Sequence, residues 1–564
     1  MQSSTELKLK LQQIHKKSYP AYKSLRGAYD FGKFQLSVDH VQGDPFASPS
    51  NVSVSVPLKA TGFPEEYYHD RMARTALEDA LLRRFYAEVS KISFQAKGSG
   101  KSGLVSVTRC GQEILERSAM EIDKGRVTVR FEVGFPANGR TINAFELEKI
   151  LFRDLPPAVE RTLYYRNWKP QKLREVYELS QDQKAVREEL KQRNLTAFIA
   201  DGSVLPRESG VSQKPMKDAV KFASPESCRI TLQLPYYGEI SGMGIPRGVT
   251  LIAGGGYHGK STLLKALELG IYNHINDDGR EFVITDDTAV KIRAEDGRSV
   301  RSLDLSLFIH DLPNGRDPSC FSTEDASGST SQAAAVIEGA EAGCRTFLID
   351  EDTSATNFLV RDEFMQRIVN PKKEPITPFL ARVRELYEQA GISTVLVAGS
   401  SGAFFHMADL VIQMDAYRPE DVTTRVNQLL DCYPLPDFGA DDFKLPDTDR
   451  CFQIKTPEGR GRNRESSRIK IRVQGTDGFS VGFEQVDLRY VEQLINTEQV
   501  ASLAGILKNI VKNPGTASIH TIVKGAWDAL EKDGFASFLG HDLVCGYAKP
   551  RIQDIYMMLD RYRG

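Results

Sequence analysis

A glycine-rich octapeptide, Gly254-Gly255-Gly256-Tyr257-His258-Gly259-Lys260-Ser261, leaves this chain few folds to adopt. It fits G-x-x-x-x-G-K-[ST]; the apolar run Val249–Ala253 precedes it and the helix-forming run Thr262–Leu269 follows. A strand that turns through glycines into a helix points backbone N–H groups at a phosphate. In such a loop Lys260 reaches the β- and γ-phosphates and Ser261 ligates Mg²⁺. Gly254–Thr262 is therefore expected to hold Mg·ATP, with Tyr257 and His258 at the loop's variable positions. The surroundings agree: from about 226 to 417, the apolar runs Thr250–Ala253, Phe282–Thr285, Thr346–Ile349, Thr394–Ala398 and Leu410–Met414 alternate with helical stretches. Strands separated by helices imply a parallel sheet covered on both faces, an α/β P-loop core. A second glycine-rich stretch, Lys97–Gly103, lacks the first glycine of the motif, since residue 95 is Gln95, and reads as a loop tip.

Downstream, Arg345–Glu351 is a buried strand that ends in two acids. Asp350 is expected to hold Mg²⁺ and Glu351 to orient and deprotonate the attacking water. Between the loop and this strand, Asp325–Gln332 places Ser327, Gly328 and Ser329 at the start of the helical run Ala333–Ala342, a second anion-binding helix start. The order of phosphate loop, Ser-Gly helix start and Asp-Glu strand is the ABC-type arrangement. There the second anion site acts on the nucleotide of another subunit.

At this point the chain resembles the predicted ATPases of the ABC class, stand-alone proteins rather than transporter subunits. The resemblance runs through nearly the whole sequence: DHVQGDPFASPS from Asp39, GQEILERSA from Gly111, GFPANGR from Gly134, ADGSVLPRESGVS from Ala200, GMGIPRGVTLIAGGGYHGKSTLL from Gly242, NDDGREFVIT from Asn276, IRAEDGRSV from Ile292, FSTEDASGSTSQAA from Phe321 and LIDEDTSATNFLVRD from Leu348. It implies an ABC-type core with added N- and C-terminal domains, ATP and Mg²⁺ as cofactors, a head-to-tail homodimer, and association with RNA. By position, Ser327, Gly328 and Ser329 stand where ABC proteins carry their signature, and Thr353-Ser354-Ala355 form the loop that crosses the dimer interface. Two departures bear on hydrolysis. The histidine expected after Thr394–Ala398 is replaced by Gly399-Ser400-Ser401-Gly402, which leaves Ser400 as the candidate there. The glutamine expected before the signature is replaced by Phe308-Ile309-His310-Asp311, with His310 its nearest match. The expectation is a slow ATPase.

The chain has 564 residues, enough at about 150 per domain for three or four. We expect an N-terminal α+β domain at 1–195, an ATPase core at 196–430 that opens on a Gly/Pro/Ser-rich linker at 196–225, and a C-terminal α+β domain at 431–564, with helices around Asp487–Ile495 and Thr497–Lys508. Seven scattered cysteines without a CxxC suggest a reducing compartment and no zinc site. No apolar run approaches the ~20 residues that span a bilayer, so a cytoplasmic protein with no membrane or transporter partner is expected. A formal net charge of -2 excludes a globally basic nucleic-acid binder but not a local groove. Two stretches are candidates for RNA or single-stranded nucleic acid. One holds Arg460, Arg462, Arg464, Arg468, Lys470 and Arg472 against the single acid Glu465. The other interleaves Arg71, Arg74, Arg83, Arg84, Lys91, Lys97 and Lys101 with Tyr67, Tyr68, Phe85, Tyr86 and Phe94. The competing reading is a protein-remodelling ATPase whose basic residues form an ordinary solvated helix face.

Overall fold

The computed structural model describes residues 1–312, 315–361, 368, 374–433, 442–447, 449–455 and 469–563. The chain divides into two compact units, Met1–Gln181 with Asp533–Lys549, and Asp182–Lys532 with Pro550–Gly564.

In the first unit, α1 (Ser4–Ile14) buries Leu7, Leu11 and Ile14, the 3.6-residue spacing of one helix face. Its Ser3 cap and Glu6 form a reciprocal capping box. Strands β1 (Gly27–Asp30), β2 (Gln35–His40) and β3 (Ser50–Pro57) follow, then α2 (Arg71–Ile92), β4 (Met120–Asp123), β5 (Arg126–Val133) and α3 (Leu155–Leu163). In β3, valines 52, 54 and 56 are buried and alternate with half-exposed residues, as a sheet with one face on a core requires. The sheet runs Gln2–Ser3, β1, β2, β3, β5, Val105–Ser106, with β4 also on β5. Phe85 of α2 packs edge-on against Phe131 of β5, with centroids 5.2 Å apart. In the returning segment Asp533–Lys549, the Tyr547 carbonyl accepts from the Ser118 amide at 2.9 Å.

The second unit lays down β6 (Leu195–Ala200), β7 (Arg229–Leu234), β8 (Gly238–Pro246), β9 (Val249–Ala253), α4 (Lys260–Leu269), β10 (Val283–Thr285), β11 (Val290–Ile292), β12 (Arg298–Leu303), β13 (Phe321–Ala326), α5 (Gly328–Glu341), β14 (Thr346–Asp350), α6 (Phe379–Ala390), β15 (Ser393–Val397), β16 (Leu410–Asp415) and β17 (Arg418–Asp421). The core sheet has the order β11-β14-β15-β9-β16-β17, parallel except for β17. Every residue of β14 and β15 is buried, which explains their unbroken apolar runs. An antiparallel sheet, β7-β8-β6-β10, accompanies it. Leu195–Ala200, most of which reads from sequence as linker, is a fully buried strand paired on both sides. This is the P-loop ABC ATPase fold.

Towards the C-terminus come β18 (Cys451–Ile454), β19 (Ile471–Val473), β20 (Gly478–Val481), β21 (Glu484–Asp487), α7 (Thr497–Ile510), β22 (Gly515–Ser518) and α8 (Ile552–Asp560). The helix expected around Asp487–Ile495 is absent. Those residues form successive turns, Val491 N–H to the Leu488 carbonyl and Leu494 N–H to that of Val491, both 2.9 Å. The reason is that Asn496 and Gln499 box the start of α7, and Gln493 spends its side chain elsewhere. No helix among the described residues is long and apolar enough to cross a membrane.

Candidate nucleotide site

Register brings the site together. Ile252 of β9 pairs with Val397 of β15, and Val397 pairs with Asp350 of β14. Asp350 therefore ends its strand about 10 Å, two strand spacings, from the end of β9. The phosphate loop and the acidic strand end share one edge of the sheet.

Two of the loop's glycines, Gly254 and Gly259, are required by geometry. Gly254 has φ 145°, and a Cβ there would lie 2.6 Å from the Met414 carbonyl oxygen. Gly259 has φ 96°, and its Cβ would lie 2.7 Å from the Tyr417 ring. Gly256 faces open space, and Gly255 and the side chain of Tyr257 (φ 64°) are exposed. Lys260 Nζ curls over the loop and donates to the carbonyls of Gly254 and Gly255, both at 2.8 Å. Ser261 is exposed and Thr262 half-buried in the first turn of α4. His258 is a staple: its Nδ1 lies 2.9 Å from the Ala416 N–H and 2.9 Å from Asp415 Oδ1, and its carbonyl accepts from Tyr417 N–H at 3.1 Å. It fastens the loop to the β16–β17 turn, where Ala416 and Tyr417 both hold positive φ.

Glu351 follows β14 and points into the loop after β15. Its Oε2 accepts from the amides of Gly399 (2.6 Å) and Ser400 (3.0 Å), and its Oε1 accepts from the Ser400 hydroxyl. A Cβ on Gly399 would lie 3.7 Å from Lys260 Nζ. Lys260, Gly399, Ser400 and Glu351 thus form one contiguous group. The acids at the strand end are driven in opposite directions. Burial raises Glu351, but the Ser400 hydroxyl and the Gly399, Ser400 and Ser401 amides outweigh it and hold the carboxyl below its usual range. Burial pushes Asp350 above its usual range, more than the Asp352 amide and Lys291 pull it down.

A desolvated Asp350 carboxylate and an exposed Ser261 hydroxyl are oxygen donors of the type a hard cation takes, with phosphate and water for its remaining ligands. Among the described residues no group of three or more His, Cys, Asp or Glu is arranged to hold a metal ion. A cavity of about 1070 Å³ opens beside Glu351 and Ser400, lined also by Ala253, Gln413, His406 and Val426.

The signature residues open α5. Ser327 caps it, accepting from Thr330 N–H, and Ser329 donates to Asn357 Oδ1 at 2.6 Å. Gly328 sits where a Cβ would lie 3.1 Å from Asp296 Oδ1. Gln332, which sequence reasoning missed, ties α5 to the 353–355 loop. Its amide donates to Ser354 Oγ at 2.9 Å and its carbonyl accepts from Ala355 N–H at 2.8 Å. His310 Nε2 lies 3.0 Å from Thr377 Oγ1, so the segment Pro375–Thr377 holds it rather than the Lys260–Glu351 group. Tyr236 and Tyr237, the two open candidates for adenine stacking, donate their amides to Asp182 at 2.9 Å each. Tyr237 also meets the Phe282 ring edge-on at 5.3 Å.

Two ionic clusters tie the C-terminal segments to these helices. Glu492 bonds Lys291 (3.0 Å) and Arg293 (2.6 Å) and lies 3.5 Å from Lys265 of α4. Gln493 donates to the Glu268 carbonyl of α4 at 3.1 Å. On α5, Glu338 pairs with Arg298, and Glu341 pairs at 2.9 Å with Arg450, which also holds Asp560 of α8.

The basic N-terminal stretch is largely spent on internal partners. Arg71 pairs with Glu116 (2.5 Å), Arg83 with Asp79 (2.5 Å) and Lys91 with Glu88 (2.7 Å), and Arg84 lies over the Trp168 ring at 4.3 Å. Tyr67 and Phe85 are core residues. The cluster Arg460, Arg462, Arg464 and Arg468 lies outside the described residues. The stretch Lys97–Gly103 directs the amides of Ser99, Lys101, Ser102 and Gly103 to carbonyls of the protein, so it offers no anion cradle.

Comparison with known proteins matches three stretches of the chain. Residues 4–166 match the family profile "ATPase of the ABC class N-terminal", 169–436 the ABC ATPase P-loop domain, and 470–564 the MRB1590 C-terminal domain. The chain belongs to the ABC class of ATPases. Among curated proteins it is 29% identical over 231 residues to an uncharacterized protein, MJ1628, of Methanocaldococcus jannaschii, covering 39% of this chain and half of that relative's length. Solved structures with some similarity include MJ1267, an ATP-binding cassette of an ABC transporter, in its ADP conformation (11% identity, 34% of this chain, 88% of that one, TM-score 0.24). Another is cbiO1 from Clostridium perfringens (13%, 40%, 87%, TM-score 0.25).

Proposed function

We propose that this ABC-class ATPase binds and slowly hydrolyses Mg·ATP at the interface of a head-to-tail homodimer. The observation that carries the reading is the contiguity of Lys260, Gly399, Ser400 and Glu351 at one sheet edge. Gly254–Thr262 wraps the phosphates, with Lys260 neutralising the β- and γ-oxygens. Ser261 and Asp350 would hold Mg²⁺, which supplies charge neutralisation at the transferring phosphoryl group. Glu351, held ionised, accepts a proton from water as its oxygen attacks the γ-phosphorus; the bond to the β-phosphate oxygen breaks, giving ADP and phosphate. Ser327, Gly328 and Ser329 of a second copy close over the γ-phosphate. The Gln332 link makes the signature and the 353–355 loop move together, and the Glu492 and Arg450 clusters carry α4 and α5 displacements to the C-terminal segments.

Glu351→Gln should retain ATP binding, lose turnover and accumulate dimers. Lys260→Ala should lose nucleotide affinity. Native turnover in the first, or native affinity in the second, refutes the assignment.

We further propose that closure is coupled to RNA or single-stranded nucleic acid through the arginine-rich stretch that ends at Arg472. The internal pairing of the α2 arginines favours the competing protein-remodelling reading for the N-terminal unit. Filter binding of single-stranded RNA across a salt series separates the two. Nucleic-acid binding must weaken steeply with salt as counterions are released; no binding at low salt leaves the remodelling reading.

A further inference from the structure

We infer that Ser400 is the positioning residue for hydrolysis, its hydroxyl fixing the rotamer of Glu351 where ABC proteins are expected to use a histidine. The inference rests on the reading of Glu351 as the base. Four donors reach that carboxylate: the Gly399 amide at 2.6 Å, the Ser400 amide at 3.0 Å, the Ser401 amide, and the Ser400 hydroxyl. The Gly399 and Ser400 amides bind one oxygen, Oε2, and any residue but proline could supply them. The hydroxyl takes the other, Oε1, and among these donors it alone is a side chain, set by the sequence. A carboxylate held at one oxygen swivels about its terminal torsion, which is broad for glutamate. Held at both, it presents a fixed lone pair.

The loop that carries Ser400 is itself placed by the sheet. It leaves β15 directly after Val397, which pairs with both Ile252 and Asp350, so it emerges between the phosphate loop and Glu351. A Cβ on Gly399 would stand in ordinary van der Waals contact with the Lys260 ammonium, at 3.7 Å, so this turn runs directly beside the lysine. The Gly-Ser-Ser-Gly sequence is thus a substitute for the histidine, with small residues where the lysine passes and a hydroxyl where the base must be held. Unlike an imidazole, the hydroxyl does not titrate in the working pH range, so its hold on Glu351 is constant.

The test is single- and multiple-turnover ATP hydrolysis by the full chain carrying Ser400→Ala, Ser400→Thr, Glu351→Gln and the double variant Ser400→Ala/Glu351→Gln, with ATP affinity measured separately. Ser400→Ala should lower kcat about tenfold or more, the share of one charge-assisted hydrogen bond, with ATP affinity within about twofold of native. Ser400→Thr, which keeps the hydroxyl, should restore most of the rate. Adding Ser400→Ala to Glu351→Gln should cost nothing further. Native kcat in Ser400→Ala, a loss that Ser400→Thr does not rescue, or a full additional loss in the double variant overturns the role of Ser400. Native hydrolysis by Glu351→Gln instead removes the base assignment on which it stands, and the two failures are distinguishable.

Discussion

The buried charge cluster behind the signature helix predicts a substitution that should stabilise the protein at one pH and not at another. Three arginines, Arg298, Arg450 and Arg561, face four acids, Glu295, Glu338, Glu341 and Asp560. Fully ionised, the cluster carries one negative charge too many in a site with little water. Burial first, and then the neighbouring negative charges, push Glu341 up to about 8 and Asp560 up to about 7, despite Arg450. The folded chain therefore keeps a proton that the unfolded chain releases near pH 4.5. A carboxyl raised in the fold favours folding most below its unfolded value, and that advantage disappears as pH rises through the folded value. At about 1.4 kcal/mol per pH unit and one shared proton, stability should fall by roughly 4 kcal/mol between pH 5 and 8. Glu341→Gln mimics the protonated state. It should be within about 1 kcal/mol of native at pH 5.5 and more stable than native, by up to about 3 kcal/mol, at pH 8.5. Urea unfolding at both pH values, with hydrogen exchange of the α5 and α8 amides to localise the effect, measures this. If the variant is weaker than native by the same amount at both pH values, the cluster holds no extra proton and the reasoning fails.

Two more perturbations probe the site. Gly259→Ala places a methyl 2.7 Å from the Tyr417 ring at φ 96°, so it should abolish nucleotide binding in equilibrium dialysis and lower the melting temperature; a variant that binds ATP normally would show that the β16–β17 turn does not shape the loop. Gln332→Ala cuts both hydrogen bonds to the 353–355 loop and should spare ATP affinity in the monomer while slowing turnover several-fold, since in the proposed closed dimer that loop lies at the interface. Turnover at the native rate would uncouple the signature helix from that loop.

Legibility followed separation along the chain. The phosphate loop and the Asp350–Glu351 pair are short local patterns whose chemistry needs contiguous residues, and the register of β9, β15 and β14 carries them to one edge. The hold of Ser400 on Glu351 joins residues 49 apart, and a hydroxyl in a Gly-Ser run has no distinctive spacing. Arg450 meets Glu341 and Asp560 across 109 and 110 residues, so nothing local announces the cluster. The α2 arginines show the opposite error. Their periodicity marks a charged helix face, but Asp79 and Glu78, at i,i+4 spacing to Arg83 and Arg74, turn that face inward upon itself.

These placements bear on how such an ATPase transmits closure. The phosphate-loop helix α4 and the signature helix α5 are each gripped by different C-terminal residues, Glu492–Gln493 for the first and Arg450 with Asp560 for the second. In a head-to-tail dimer these two helices serve different nucleotides. A change at one nucleotide would therefore reach the C-terminal segments through α4, and a change at the other through α5. The buried grip of Arg450 on α5 suits this task better than apolar packing, because a buried charge cannot slide to a new partner without exposing the old one. Small helix displacements at the nucleotide would then become discrete shifts of the C-terminal segments rather than being absorbed along the way.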